Sequence, residues 1–148
     1  MSRGRVIQSL EENLASLEHS PGGDHPETIR VRHQLAHAYR AARRYDQAMV
    51  LFGQNVTACT RVFGPAHLTT LRHRSSLANC YYAAGRYPEA IPLFEGIWRE
   101  RVTALGDTHP DTLRSRGSLA NCYRETGRLQ DAKNTRRGDC LLLPTGLA

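Results

Sequence analysis

The chain has 148 residues, the size of one ordinary domain, with 40% hydrophobic residues and a mean hydropathy of −0.51. So low an apolar share suits an elongated body with much surface better than a compact sphere. The formal charge is +6, and of 20 basic residues only Lys133 is a lysine, a bias that fits either an acidic partner or an arginine-rich proteome. Glu11 and Glu12 stand where a signal peptide needs its apolar stretch, and no apolar run approaches the roughly 20 residues of a membrane span. Cys59, Cys80, Cys122 and Cys140 form no C-x-x-C pair and no zinc-knuckle spacing. These features predict a reduced, cytoplasmic protein with no membrane association.

In chain order, residues 5–18 carry Val6, Leu10, Leu14 and Leu17 along one helical stripe. This segment reads as a lone second helix of a preceding unit, so residues 1–23 are expected to form an N-terminal cap on a helical stack. His25-Pro26-Glu27-Thr28 then announces a helix, with proline at the first helical position and an acid in the first turn. Within it His33-Gln34-Leu35-Ala36-His37 comes one letter from HExxH, the helical zinc-protease motif. The glutamate that would activate water is missing, and no third ligand lies nearby in the same unit.

The rest of the chain explains that spelling. His25, His67 and His109 lie 42 residues apart, twice. The same shift superimposes Leu35-Ala36-His37-Ala38-Tyr39 on Leu77-Ala78-Asn79-Cys80-Tyr81 and on Leu119-Ala120-Asn121-Cys122-Tyr123. It also aligns Arg44-Tyr45, Arg86-Tyr87 and Arg128-Leu129, each followed three residues on by Ala48, Ala90 or Ala132. His33 and His37 fall in line with Ser75 and Asn79, so the zinc-like motif is one copy of a structural block. Hydrolysis through it would be a third function class, after protein binding and nucleic-acid binding. Cys80 and Cys122 occupy the slot of Ala38 and are expected to be small packing residues.

Each unit predicts two helices. In the second copy Leu71, Leu77, Ala78, Tyr81 and Ala84 recur at helical spacing, Gly85 breaks the run, and Tyr87, Ala90, Ile91, Phe94, Ile97, Trp98 and Leu105 come next. Gly64, Gly106 and Gly127 punctuate the chain in the same way. The expected array covers 24–65, 66–107 and a truncated 108–137. In the last copy Arg136 falls where Phe52 and Phe94 sit. The inner face of the third first-helix should therefore be poorly covered and open to self-association, with residues 138–148 a disordered tail in which Cys140 is the most reactive thiol.

Leu77-Ala78-x-x-Tyr81, Gly85, Tyr87 and Ala90-x-x-x-Phe94 resemble the tetratricopeptide repeat, in the longer 42-residue form of the kinesin-light-chain type. Arg32, Arg74 and Arg116 replace the motif's early tryptophan, and Val102 its closing proline in the second copy. The resemblance implies an all-α, right-handed superhelical α-solenoid of antiparallel helix pairs, with no catalytic residues, metal or cofactor. It further implies that the first helices line a concave groove. The expected ligand-binding residues are Arg30, His33, His37 and Arg40; then Arg72, Ser75, Asn79 and Tyr82; then Arg114, Asn121 and Arg124, with Gly117 between them. Asparagine suits a peptide backbone and arginine forks suit carboxylates. Arginines about 8–10 Å apart, the spacing of packed helices, could meet acids about three residues apart on an extended ligand.

The function expected is a non-catalytic interaction module for a protein or peptide ligand, with an acidic one as the finer expectation. The resemblance also implies a place in a bacterial signalling or regulatory system. The competing class is nucleic-acid binding through the basic face, against which stand the scatter of the basic residues and the lack of stacking aromatics other than Tyr82.

Overall fold

The computed structural model describes residues 2–137, and every regular element among them is a helix. These are α1 (Arg3–His19), α2 (Pro26–Ala41), α3 (Tyr45–Phe63), α4 (Leu68–Ala83), α5 (Tyr87–Leu105), α6 (Pro110–Glu125) and α7 (Leu129–Arg137). The described residues form two compact units that divide between Cys80 and Tyr81, inside α4.

The joints arise from the His-Pro-x-Thr pattern. In the first unit the Glu27 N–H donates to His25 Nδ1 and the Thr69 N–H to His67 Nδ1, each at 3.1 Å. In the second unit the Asp111 N–H does the same to His109 Nδ1 at 3.1 Å. A histidine thus does the work of an N-cap carboxylate or hydroxyl, satisfying one of the donors that a helix start leaves over. The buried threonine three residues on ties the joint to the turn before it. Thr28 donates to the Gly22 carbonyl at 2.7 Å and Thr70 to the Gly64 carbonyl at 2.8 Å. The third-copy Thr112 is equally buried, but its hydroxyl has no partner among the described residues. The joint histidines are structural, as the period implies.

In the first unit, α1 packs on α2 and α2 on α3. Ile7 and Leu14 bury α1, while Val6 is 38% exposed. The expected stripe is therefore turned by one residue. Ile7 and Leu14, seven apart, define its centre, and Val6 falls off its edge. Leu35, Ala36, Ala48, Phe52, Leu71 and Ala78 fill the interior. Burying a side chain such as Phe52 contributes about 1.5–3 kcal/mol. The turn after α2 uses Arg43 at φ 61, where the next two copies have Gly85 (φ 76) and Gly127 (φ 77).

One polar residue lies deep in this unit. Arg32, which stands where the repeat resemblance expects a tryptophan, is 4% exposed. It donates to Asn55 Oδ1 at 2.9 Å, to the Gly23 carbonyl at 3.2 Å and to Glu18 at 3.1 Å. Asn55 in turn donates to the Ile29 carbonyl at 3.0 Å. The guanidinium links α1, α2 and α3 through bonds where tryptophan would have linked them through area.

In the second unit α5 packs on α6 and α6 on α7. Ala90, Phe94, Ile97, Trp98, Leu119, Ala120 and Tyr123 are buried. The expectation of a poorly covered third first-helix is not met, and with it goes the ground for self-association. Short as it is, α7 lays buried Ala132 and Thr135 against α6. Arg128 also covers the Tyr123 ring at 4.5 Å while Tyr123 donates to Glu95. The first unit repeats this device: Arg44 lies 4.6 Å over Tyr39, which donates to Glu11. Glu11 and Glu95 are 84 residues apart, two periods, which places α1 in the register of a second helix. The tail and Cys140 lie outside the described residues.

Candidate ligand-binding site in the first unit

The site depends on one position in the repeat. In the second unit residue 101 of α5 is an arginine, 7% exposed, whose guanidinium donates to Ser115 Oγ and, at 3.2 Å, to the Asp111 carbonyl of α6. Shifted back 42 residues, the same pair in the first unit is Cys59 of α3 and His73 of α4. Cysteine is too short to fill what arginine fills. A cavity of about 260 Å³ remains, lined by Ile29, His33, Cys59, Val62, Phe63 and His73 among others, with Arg30 and Arg72 also contributing to its wall. Val62 and Phe63 are 53% and 44% exposed, so the apolar wall reaches the surface.

The two arginines differ. Arg30 is paired with Glu27 in the turn before it, as Arg114 is with Asp111 in the second unit. Arg72 has Thr69 at that spacing and carries no ion pair among the described residues. Of the three repeated arginines, it alone presents an open guanidinium fork.

Beside the cavity three imidazoles crowd together. His33 Nε2 lies 3.0 Å from His37 Nε2, and the His33 ring meets His73 edge-on with centroids 5.1 Å apart. Both His33 and His37 pack edge-on against Phe52, at 5.7 and 5.1 Å. Burial, followed by the field of His37, His73 and the nearby arginines, pulls the His33 pKa down to about 4. Burial and Arg72 hold His73 at about 4, and burial and Arg40 lower His37. All three rings are uncharged at neutral pH. The Nδ1 atoms of His33 and His73 are buried without a hydrogen-bond partner.

The structure brings Arg30, His33 and Arg72 together around this cavity, with His37 in contact with His33. Arg40 is half-buried, and Asn79 is exposed one turn beyond Ser75, whose hydroxyl is buried without a partner. In the second unit Tyr82 leans edge-on against Tyr87 at 5.4 Å, and Arg124 donates to Asn121 at 2.8 Å. Gly117 is exposed there. Cys59, Val62, Phe63 and His73 are not among the expected site residues. The legible signal is the 42-residue comparison itself, which sets Cys59 against Arg101 and His73 against Ser115. The cysteines on the expected packing positions, Cys80 and Cys122, are fully buried, and burial pushes the Cys122 thiol up to about 12.

No group of three or more His, Cys, Asp or Glu side chains among the described residues is set to hold a metal ion, and no described helix is long and apolar enough to cross a membrane. No curated protein sequence matches the chain significantly. The family model of the tetratricopeptide repeat matches residues 28–69 and 70–111. Among solved structures, the chain is similar to nearly identical TPR-like repeats from a Podosopora anserina protein named as a kinesin light chain. Two structures of it match at 26% identity, with TM-scores of 0.82 and 0.80 over 95% and 97% of this chain. BtubC (BKLC) from P. vanneervenii matches at 16% identity and a TM-score of 0.82 over 93% of this chain, which speaks for the fold alone. The chain spans 66%, 70% and 55% of those three chains. Tetratricopeptide repeats generally mediate protein–protein interaction, and such scaffolds are typically non-catalytic. The chain belongs to the tetratricopeptide repeat family, and its repeats are of the kinesin-light-chain-like kind.

Proposed function

We propose that the first unit binds an acidic peptide segment of a protein partner, as one arm of a bacterial signalling or regulatory system. The observation that carries this reading is the open cavity with an unpaired arginine at its wall. An apolar side chain of the ligand enters between Ile29, Val62 and Phe63, and a neighbouring carboxylate meets Arg72. Magnitudes divide the labour: burying one large apolar side chain contributes about 1.5–3 kcal/mol, an exposed ion pair about 0.2–1 kcal/mol. The cavity supplies affinity, while Arg72 supplies selectivity and association rate. Asn79, exposed on the same helix, offers a donor and an acceptor to the peptide backbone. The signalling context rests on family analogy.

Nucleic-acid binding is disfavoured by where the positive charge goes. Arg32 and Arg101 are buried, and Arg30, Arg86, Arg114 and Arg128 each pair with an acid three residues away in sequence. These six guanidinium groups are taken up within the protein and are not offered to phosphates.

A displayed peptide library tests the proposal. Selection on the wild type should enrich sequences with acids beside one bulky apolar residue, and these should be lost on Arg72→Glu/Asn79→Ala. Enrichment of the same peptides on both proteins would contradict it.

A further inference from the structure

The His-Gln-Leu-Ala-His segment has a geometry that the peptide-binding reading leaves unused. His33 and His37 sit one turn apart on α2, and their Nε2 atoms face each other at 3.0 Å. From the facing nitrogens of this helical pair we infer that His33 and His37 form a two-point chelate for a borderline divalent transition metal, with Cu²⁺ preferred and the remaining positions left to water.

Two ligand nitrogens 3.0 Å apart, each about 2.05 Å from a metal, subtend about 94° at it. That is a cis angle of square-planar or octahedral coordination. A tetrahedral centre at the same bond length asks for nitrogens about 3.3 Å apart. The preference for copper over nickel and zinc follows the order of intrinsic affinities at nitrogen sites. The segment lacks a zinc-protease site because the glutamate is replaced by Gln34 and no third protein ligand is in place among the described residues.

The rings are prepared for this role. Phe52 holds both edge-on and His73 abuts His33, so little side-chain freedom is lost on binding. Neutral imidazole is the form that binds metal. No proton need leave the protein, because each ring keeps one, carried on Nδ1 once both Nε2 atoms coordinate. Two features limit affinity. The His33 Nδ1–H has no acceptor, where metal-bound histidines normally have one. Arg40, which acts on the His37 ring, repels a dication.

The test is calorimetric titration of the tag-free full chain at neutral pH with Cu²⁺, Ni²⁺ and Zn²⁺. One equivalent of Cu²⁺ should bind, more tightly than Ni²⁺ or Zn²⁺. Affinity should fall at least about tenfold in His37→Asn and in His33→Asn, a loss in the range of a damaged metal site. It should persist in His19→Asn and increase in Arg40→Gln. Because a variant at a half-buried ring could fold poorly, electron paramagnetic resonance of Cu²⁺ on the wild type gives an independent reading. Hyperfine splitting from two imidazole nitrogens supports the chelate. Absence of binding by the folded wild type, splitting from another number of nitrogens, or full affinity in both histidine variants overturns it.

Discussion

The same slot in the two units is solved in opposite ways. In the second, the long Arg101 side chain is buried and bonded to Ser115 and the Asp111 carbonyl, so α5 and α6 close on each other through a guanidinium. In the first, Cys59 and His73 stand at those positions and leave about 260 Å³ open beside Phe63 and Arg72. The first unit places its own buried arginine elsewhere, at Arg32, where it knits α1, α2 and α3. A repeat can thus carry its polar tie at either of two joints, and the joint without one becomes available to a ligand.

The largest effect should come from cutting these ties. Arg32→Ala leaves the buried Asn55 amide without its donor and frees Glu18, costing about 1–3 kcal/mol. Arg101→Ala should cost less in polar terms, because Ser115 keeps its bond to the Asp111 carbonyl. Urea unfolding of the two variants checks the order. Equal losses would mean that the two arginines are tied in equally firmly.

Next comes acid. His33 and His73 are neutral in the folded first unit down to about pH 4, whereas unfolded histidine takes a proton near 6.5. Between those values the unfolded chain binds more protons, so stability contributed by these burials is present above about 6.5 and lost as pH falls toward about 4. The second unit has Ser115 in place of His73. Hydrogen exchange monitored across this window should show α2 and α3 losing protection before α5 and α6. Simultaneous loss would contradict the assignment.

Smaller effects separate the joints. His67→Leu removes a cap and should cost about 1 kcal/mol, while His67→Asn, which can still accept the Thr69 N–H, should cost much less. At the turn after α2, Arg43 holds a left-handed conformation that the later copies give to Gly85 and Gly127. Arg43→Gly should therefore stabilise the first unit by roughly 1 kcal/mol, a rise that thermal melting would detect.

The helices and joints are legible because they repeat: His25, His67 and His109 announce their caps by spacing alone. What repeats imperfectly is harder to read. Arg32 reads as a substitution for tryptophan, since nothing local says that Asn55, on another helix, completes it. The contrast of Cys59 with Arg101 becomes meaningful only once His73 and Ser115 are known to face them. The coverage of α6 runs against expectation because Arg136 alone suggests a spoiled α7. Ala132 and Thr135, with Arg128 over Tyr123, cover it instead. The placement of His33 and Ser75, whose Nδ1 and Oγ atoms are buried without partners, reflects packing between helices that periodicity does not encode.

Whether the cavity left by Cys59 and His73 receives the ligand can be decided by exchanging the slot: Cys59→Arg/His73→Ser gives the first unit the arrangement of the second. Calorimetry with a peptide selected on the wild type should show affinity falling by more than about tenfold, the equivalent of about 1.4 kcal/mol, with helix content unchanged. A folded double variant that binds the peptide as tightly as the wild type would place the ligand elsewhere and refute the cavity as its site.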